Sequence, residues 1–282
     1  MELKNYILDR KDEKPILIDV LNTSSKQHKP IIIFCHGYKG YKDWGAWHLM
    51  ANYFDKAGYC FIKFNFSYNG GTMTQPIDFP DLKAFGENNY TQELSDLKDI
   101  IDWSVSKFEN NPSVDHKNII LIGHSRGGGI SLIKAEEDTR IKGLVSLASV
   151  SDYKSRFPKG EAFQQWKKSG VYYIENGRTK QKMPHYFQYY RDFVENEKRL
   201  TIKRAAKKLT IPHLIIHGEN DTSVKLSESI NLHQWHPKSQ LEIIEKADHV
   251  FNTKQPWDKP EMSKELNLAS NLIVGFLNSH FN

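Results

Sequence analysis

The residues Gly123-His124-Ser125-Arg126-Gly127 have the types and spacing that suit nucleophilic catalysis. They read G-x-S-x-G between an apolar run at 118–122 and a helix-like segment, the arrangement of a nucleophile elbow. A serine in such a sharp turn presents its Oγ at the carboxyl edge of a sheet. Small residues two positions to either side let strand and helix approach. The helix N-terminus then lies beneath the reacting oxygen. The bland alternative is a plain tight turn, which the strand before it and the helix after it disfavour.

A serine hydroxyl is a poor nucleophile without a base. Two loops further along carry the right groups. Asp221 closely follows the apolar run 213–217, and Glu219 is the competing carboxylate. His249 follows the run 241–244, with Asp248 beside it as a loop or cap residue. An ordinary loop histidine is the alternative for His249. A third loop, His36-Gly37-Tyr38, closes the run 30–35. It can aim a backbone N–H at a reacting carbonyl oxygen, so Tyr38 and Arg126 are the expected oxyanion-hole amides.

These groups need a scaffold that brings four strand ends to one edge. Strands are expected at 15–21, 30–35, 60–66, 118–122, 143–148, 213–217 and 241–244. Several are continuous β-branched or aromatic runs, which suits strands covered on both faces. Helical patterns lie between them. One has Leu94, Leu97 and Ile101 on a single face, with Asn89 and Gln92 placed to cap it; the last, 263–281, carries Leu266, Ala269, Ile273, Phe276 and Leu277. The alternation predicts an α/β fold with a mostly parallel central sheet flanked by helices. From 151 to 208 no strand is evident, and aromatic and charged residues dominate. That is too long for a connection. It reads as an inserted helical cap on a core made of 1–150 and 209–282. Most of its aromatics pack it down, and a few line a pocket.

Composition bounds the rest. The chain has 282 residues, 39% hydrophobic and 26% charged, enough to bury one large core. Its net charge of +5 is mild and has no dense Lys/Arg block, so nucleic acid is not implied. No apolar run approaches the roughly 20 residues of a membrane helix. The charged start, MELKNYILDRKDEK, lacks the apolar stretch of a signal peptide. A cytoplasmic protein with no membrane association is the default, and a homo-oligomer stays open. Cys35 and Cys60 fall at opposite ends of two runs; on adjacent parallel strands they would be roughly 15 Å apart, too far to bridge. They read as reduced core thiols rather than a redox switch. His213 and His217 lie on one strand, too far apart to clamp one ion. No HExxH, CxxC or Walker loop is present, so no cofactor and no metal is expected.

Together, His36-Gly37-Tyr38, Gly123 through Gly127, Gly218 through Asp221 and Asp248-His249 resemble the α/β-hydrolase superfamily, over nearly the whole chain from about residue 15. The stretch from His36 to Trp44, with Phe64-Asn65-Phe66-Ser67, resembles the branch of dienelactone-hydrolase-like proteins, cinnamoyl/feruloyl-type esterases and serine aminopeptidase-like hydrolases. The resemblance implies Ser125 as nucleophile, His249 as base and Asp221 as the acid that orients it. True dienelactone hydrolases use cysteine, and position 125 is serine, which moves the expectation toward carboxylic ester hydrolysis on a small-molecule acyl ester. Haloalkane dehalogenases and epoxide hydrolases place aspartate there. An aminopeptidase, thioesterase or amidase is the alternative. A free-amine substrate would want carboxylates near the pocket, for which Glu161, Glu175, Asp192 and Glu195 are candidates. Lys39, Lys42 and Arg156 could greet an anionic substrate. Asn69-Gly70-Gly71 and 79–85 could shape a leaving-group site, or only turn the chain.

Overall fold

The computed structural model describes residues 3–22 and 28–281. Eight strands form one sheet: β1 (Leu3–Leu8), β2 (Ile16–Leu21), β3 (Lys29–Cys35), β4 (Cys60–Asn65), β5 (Val114–His124), β6 (Ile141–Leu147), β9 (His213–Gly218) and β10 (Gln240–Ile244). Two more, β7 (Val171–Glu175) and β8 (Lys182–Tyr186), form a separate hairpin. The helices are α1 (Trp47–Lys56), α2 (Leu82–Glu87), α3 (Tyr90–Phe108), α4 (Arg126–Glu137), α5 (Gly160–Ser169), α6 (Gln188–Glu195), α7 (Glu197–Leu200), α8 (Ile202–Lys208), α9 (Leu226–Trp235) and α10 (Lys264–Phe281).

The sheet runs β1-β2-β4-β3-β5-β6-β9-β10. β2 is antiparallel to both β1 and β4, and every other pairing is parallel. Successive side chains of a strand point to opposite faces. Ile31, Ile33 and Cys35 therefore enter one core with Leu94, Leu97 and Ile130, while Ile32 and Phe34 enter the other with Met50, Phe54 and Ile273. Both faces are covered by helices, which is why these strands read as unbroken apolar runs. Asn89 caps α3, its side chain accepting from the Gln92 amide at 2.8 Å. Cys60 pairs with Ile31, four residues from Cys35, and both thiols are free; burial pushes each up to about 12.

Three features differ from the sequence expectation. β1 lies ahead of the first expected strand, as an edge strand with a bulge between Leu3 and Tyr6. Its residues are half-buried or exposed, so no apolar pattern marks it. The stretch between β6 and β9, expected to be helical, also contains the β7–β8 hairpin. Val171, Tyr172 and Ile174 supply β-branched and aromatic residues there, and in a two-stranded ribbon Pro184 costs no central ladder bond. Lys42 does not face a ligand site. It is 1% exposed and bonds Asp19 at 2.7 Å. Lys63 also pairs with Asp19, and Asp43 completes the cluster. Two cations and two carboxylates thus pin the loop after β3 onto β2 and β4.

Among the described residues no helix is long and apolar enough to cross a membrane.

Removing one member of a buried ion cluster leaves uncompensated charge, which typically costs about 3–5 kcal/mol. Asp19→Asn should lower unfolding stability by about 3 kcal/mol in denaturant titration. A loss under about 1 kcal/mol would mean the cluster is solvated.

Candidate active site

β3, β5, β9 and β10 are parallel, so their carboxyl ends share one edge. The register pairs Cys35 with Gly123 and Ile244 with Gly218. Ser125 follows β5 directly, Tyr38 lies three residues past β3, Asp221 three past β9 and His249 five past β10.

Ser125 has φ 56° and ψ −120°, a conformation side-chain-bearing residues rarely adopt. The turn is possible because its neighbours are small. A Cβ on Gly123 would meet the Gly127 carbonyl oxygen at 2.5 Å, and one on Gly37 would meet the Ser125 Cβ at 2.9 Å. The second contact shows that the loop after β3 packs directly on the serine.

Three side chains form a continuous hydrogen-bond chain. Ser125 Oγ lies 3.0 Å from His249 Nε2. His249 Nδ1 lies 2.7 Å from Asp221 Oδ2. An ionised carboxylate only accepts, so Nδ1 carries the hydrogen and the Nε2 lone pair faces the serine hydroxyl. The Ser223 and Val224 amides, each at 2.8 Å, donate to the other oxygen of Asp221. Burial raises the Asp221 carboxyl, but hydrogen bonds from His217 and His249 outweigh it and hold it well below the usual carboxylate range. Glu219 is exposed and accepts from the Lys246 amide instead. Asp248 accepts from the Val250 and Asn252 amides, as a loop-capping residue does.

The amide of Arg126 is the first of α4, where helical N–H groups have no partner within the helix. Among the described residues neither this amide nor that of Tyr38 donates to a protein acceptor. His36 shapes the loop that carries Tyr38: its ring bonds the Gly37 carbonyl at 2.9 Å and accepts from the Phe66 amide at 3.2 Å.

Two residues escape the sequence reading. His217, buried on β9, has its Nε2 3.3 Å from Asp221 Oδ2 and its other nitrogen on Ser229. Glu93 lies behind the elbow, with its oxygens 3.0 Å from Nε and Nη2 of Arg126. Its signal was a carboxylate on the apolar face of α3, beside Leu94 and Leu97. His213 is a separate core residue bonded to Ser146, and no group of three metal-ligating side chains exists among the described residues.

Ser125 and His249 line two adjoining cavities. The larger, about 500 Å3, is walled by Tyr90, Tyr153, Phe157, Trp166, Tyr172 and Tyr189. The smaller, about 220 Å3, is walled by Trp44, Trp47, Asn176 and Arg178. Tyr38 and Lys39 border both. Neither Asn69-Gly70-Gly71 nor 79–85 lines either cavity; Phe79 and Phe85 pack with Tyr41 and Met183. Arg156 lines the larger cavity while paired with Glu228. The four acidic candidates lie outside both. Glu161 bonds Gln165, Glu175 pairs with Lys180, Asp192 accepts from Thr91 and Glu195 is exposed.

Residues 30–180 match the family described as alpha/beta hydrolase fold. Est1E from Butyrivibrio proteoclasticus, solved with ferulic acid bound, aligns with a TM-score of 0.71 at 16% identity, covering 98% of each chain. A putative hydrolase from Agrobacterium vitis S4 aligns at 0.72 and 16%, covering 96% of this chain and 97% of that one. A curated relative, an uncharacterised 31.7 kDa protein of the traX-finO intergenic region of Escherichia coli, is 28% identical over 130 residues. That match spans 44% of this chain and only 38% of the relative.

Burial holds His36 and His185 at about 4 and His124 and His213 at about 3, all below the ordinary 6.5. Folded values below the unfolded one stabilise the fold above pH 6.5, and that stability is lost as pH falls. Unfolding at pH 5 should therefore take up about four protons, seen as stability climbing steeply from pH 5 to 6.5. A flat profile over that range would show these rings to be hydrated.

Proposed function

The chain belongs to the alpha/beta hydrolase fold family, and from that premise we propose that it is a serine hydrolase cleaving carboxylic esters through an acyl-enzyme. The observation that carries this reading is the unbroken Asp221–His249–Ser125 hydrogen-bond chain at the carboxyl edge of the sheet.

The chemistry follows from those contacts. His249 Nε2 takes the hydroxyl proton as Ser125 Oγ attacks the ester carbonyl. Asp221 fixes the tautomer of His249 and stabilises its cation. The Tyr38 and Arg126 amides receive the oxyanion, an interaction that typically contributes about 3 kcal/mol per donor. Glu93, gripping the Arg126 side chain, fixes the residue whose amide does this. His249 then protonates the leaving alcohol. Water attacks the acyl-enzyme by the reverse sequence and frees the acid. Two cavities meeting at Ser125 suit a substrate with a group on each side of the scissile bond. The inserted residues 151–208 act as a cap on the core formed by 1–150 and 209–282, and their aromatics favour a planar or apolar group in the larger cavity. An aminopeptidase is disfavoured, because no carboxylate lines either cavity to receive an ammonium.

The test is a p-nitrophenyl ester series from acetate to palmitate with a cinnamate-type ester, run beside aminoacyl p-nitroanilides. Ester turnover should fall about 10⁶-fold in Ser125→Ala and about 10⁴-fold in Asp221→Asn. A fluorophosphonate should label Ser125 and no other serine. Anilide cleavage without ester cleavage would replace this reading with the peptidase one, and absence of both turnover and labelling would sink it.

A further inference from the structure

The polar lining of the larger cavity is one-sided. Lys39, Arg126 and Arg156 border it, and no aspartate or glutamate does. The three cations are not equivalent. Arg156 is neutralised by Glu228 at 2.5 Å. Arg126 is gripped from behind by Glu93 and held between rings, with Tyr90 4.7 Å and Tyr189 5.1 Å from its Cζ. Nε makes the hydrogen bond, while Nη2, 3.0 Å from the second Glu93 oxygen, is a buried nitrogen left without a hydrogen bond among the described residues, in a residue only 8% exposed.

Lys39 has no carboxylate within ion-pair distance among the described residues. Its contact is the face of Tyr38, 5.3 Å from the ring centroid, and Arg126 lies against the same ring at 5.8 Å. It is half-buried, and withdrawal from water lowers its pKa from the ordinary lysine value. Its backbone is held at φ 52°, a region that favours glycine. A lysine is thus kept half-desolvated, with no carboxylate partner among the described residues, at the junction of two cavities beside Ser125.

We infer that the substrate carries a carboxylate on the group seated in the larger cavity, held between the Lys39 ammonium and the Arg126 guanidinium. A carboxylate supplies two acceptor oxygens, one for each cation. Dicarboxylic acid half-esters are therefore the substrate class. The cleavage itself rests on the serine hydrolase reading, but the carboxylate site does not.

The experiment separates the two. Ser125→Ala protein is titrated with monomethyl succinate, adipate and terephthalate, and with the amide of each in which a carbamoyl group replaces the free carboxylate. Binding is followed by tryptophan fluorescence, since Trp166 lines the cavity. The same pairs are offered to the wild type as substrates. At least one half-ester should bind about tenfold tighter than its amide, with the preference shrinking as salt rises and reappearing in kcat/KM. Lys39→Met should remove most of that preference and Lys39→Arg restore it, while Arg156→Met, whose charge Glu228 already balances, has the smaller effect. The inference is overturned if each amide binds as well as its half-ester, or if Lys39→Met leaves the preference intact. Turnover without preference sinks this inference alone. Preference in binding with no turnover of any ester keeps the carboxylate site and sinks the hydrolase reading.

Discussion

A single backbone conformation organises this edge of the molecule. Ser125 sits at a positive φ between the longest strand of the central sheet and the helix that packs back over it. That turn is tenable only because Gly123 and Gly127 let strand and helix close to contact distance. Its consequences are local and physical. The Ser125 side chain faces out of the sheet toward His249. The first amide of α4 is left without an acceptor. The Arg126 side chain is thrown across α3 onto Glu93. Remove the turn and each of these groups loses its place at once.

The surrounding polar contacts hold that geometry. Asp221 is fixed on four sides, by two amides, by His217 and by His249. His36 spends one ring nitrogen on the Gly37 carbonyl of the loop beside Ser125 and the other on the Phe66 amide just past β4. The Asp19–Lys42–Lys63–Asp43 cluster ties the far end of the same loop to β2 and β4. Buried polar groups fully satisfied in this way specify one arrangement. The loop near Ser125 is thus tied down at both ends, by His36 on Gly37 and by Lys42 on Asp19.

Much of this was legible in the sequence, for identifiable reasons. Strands covered on both faces leave unbroken apolar runs, so β3, β4, β5 and β9 announce themselves. The elbow is legible because sterics restrict two of its positions to glycine. His249 and Asp221 are legible because each follows such a run by a few residues. What stayed hidden depends on partners distant in sequence. β1 buries neither face, so nothing in its pattern marks it. β7 and β8 depend on each other, within a stretch whose aromatics serve helices and hairpin alike. Lys42 looks like a surface lysine until Asp19 and Lys63 are brought beside it from two other strands. Glu93 looks like an interruption of an apolar stripe until Arg126 arrives from the next helix.

The wall of the larger cavity comes mostly from the stretch between β6 and β9. Those strands are neighbours in the sheet, paired from Leu144 with His213 to Leu147 with Ile216. The chain thus leaves and re-enters the sheet at adjacent positions, and α8 makes the return crossover that any parallel pair requires. The extra residues are spliced into that crossover. A change of length there need not shift a strand, but Tyr153, whose hydroxyl donates to the Arg126 carbonyl at 3.0 Å, and Tyr189, which packs on the Arg126 guanidinium, tie the segment to the residue after Ser125. Changes of length can therefore be absorbed in one segment while the register of the sheet stays fixed, and the contacts to Arg126 limit which of its aromatics can be exchanged.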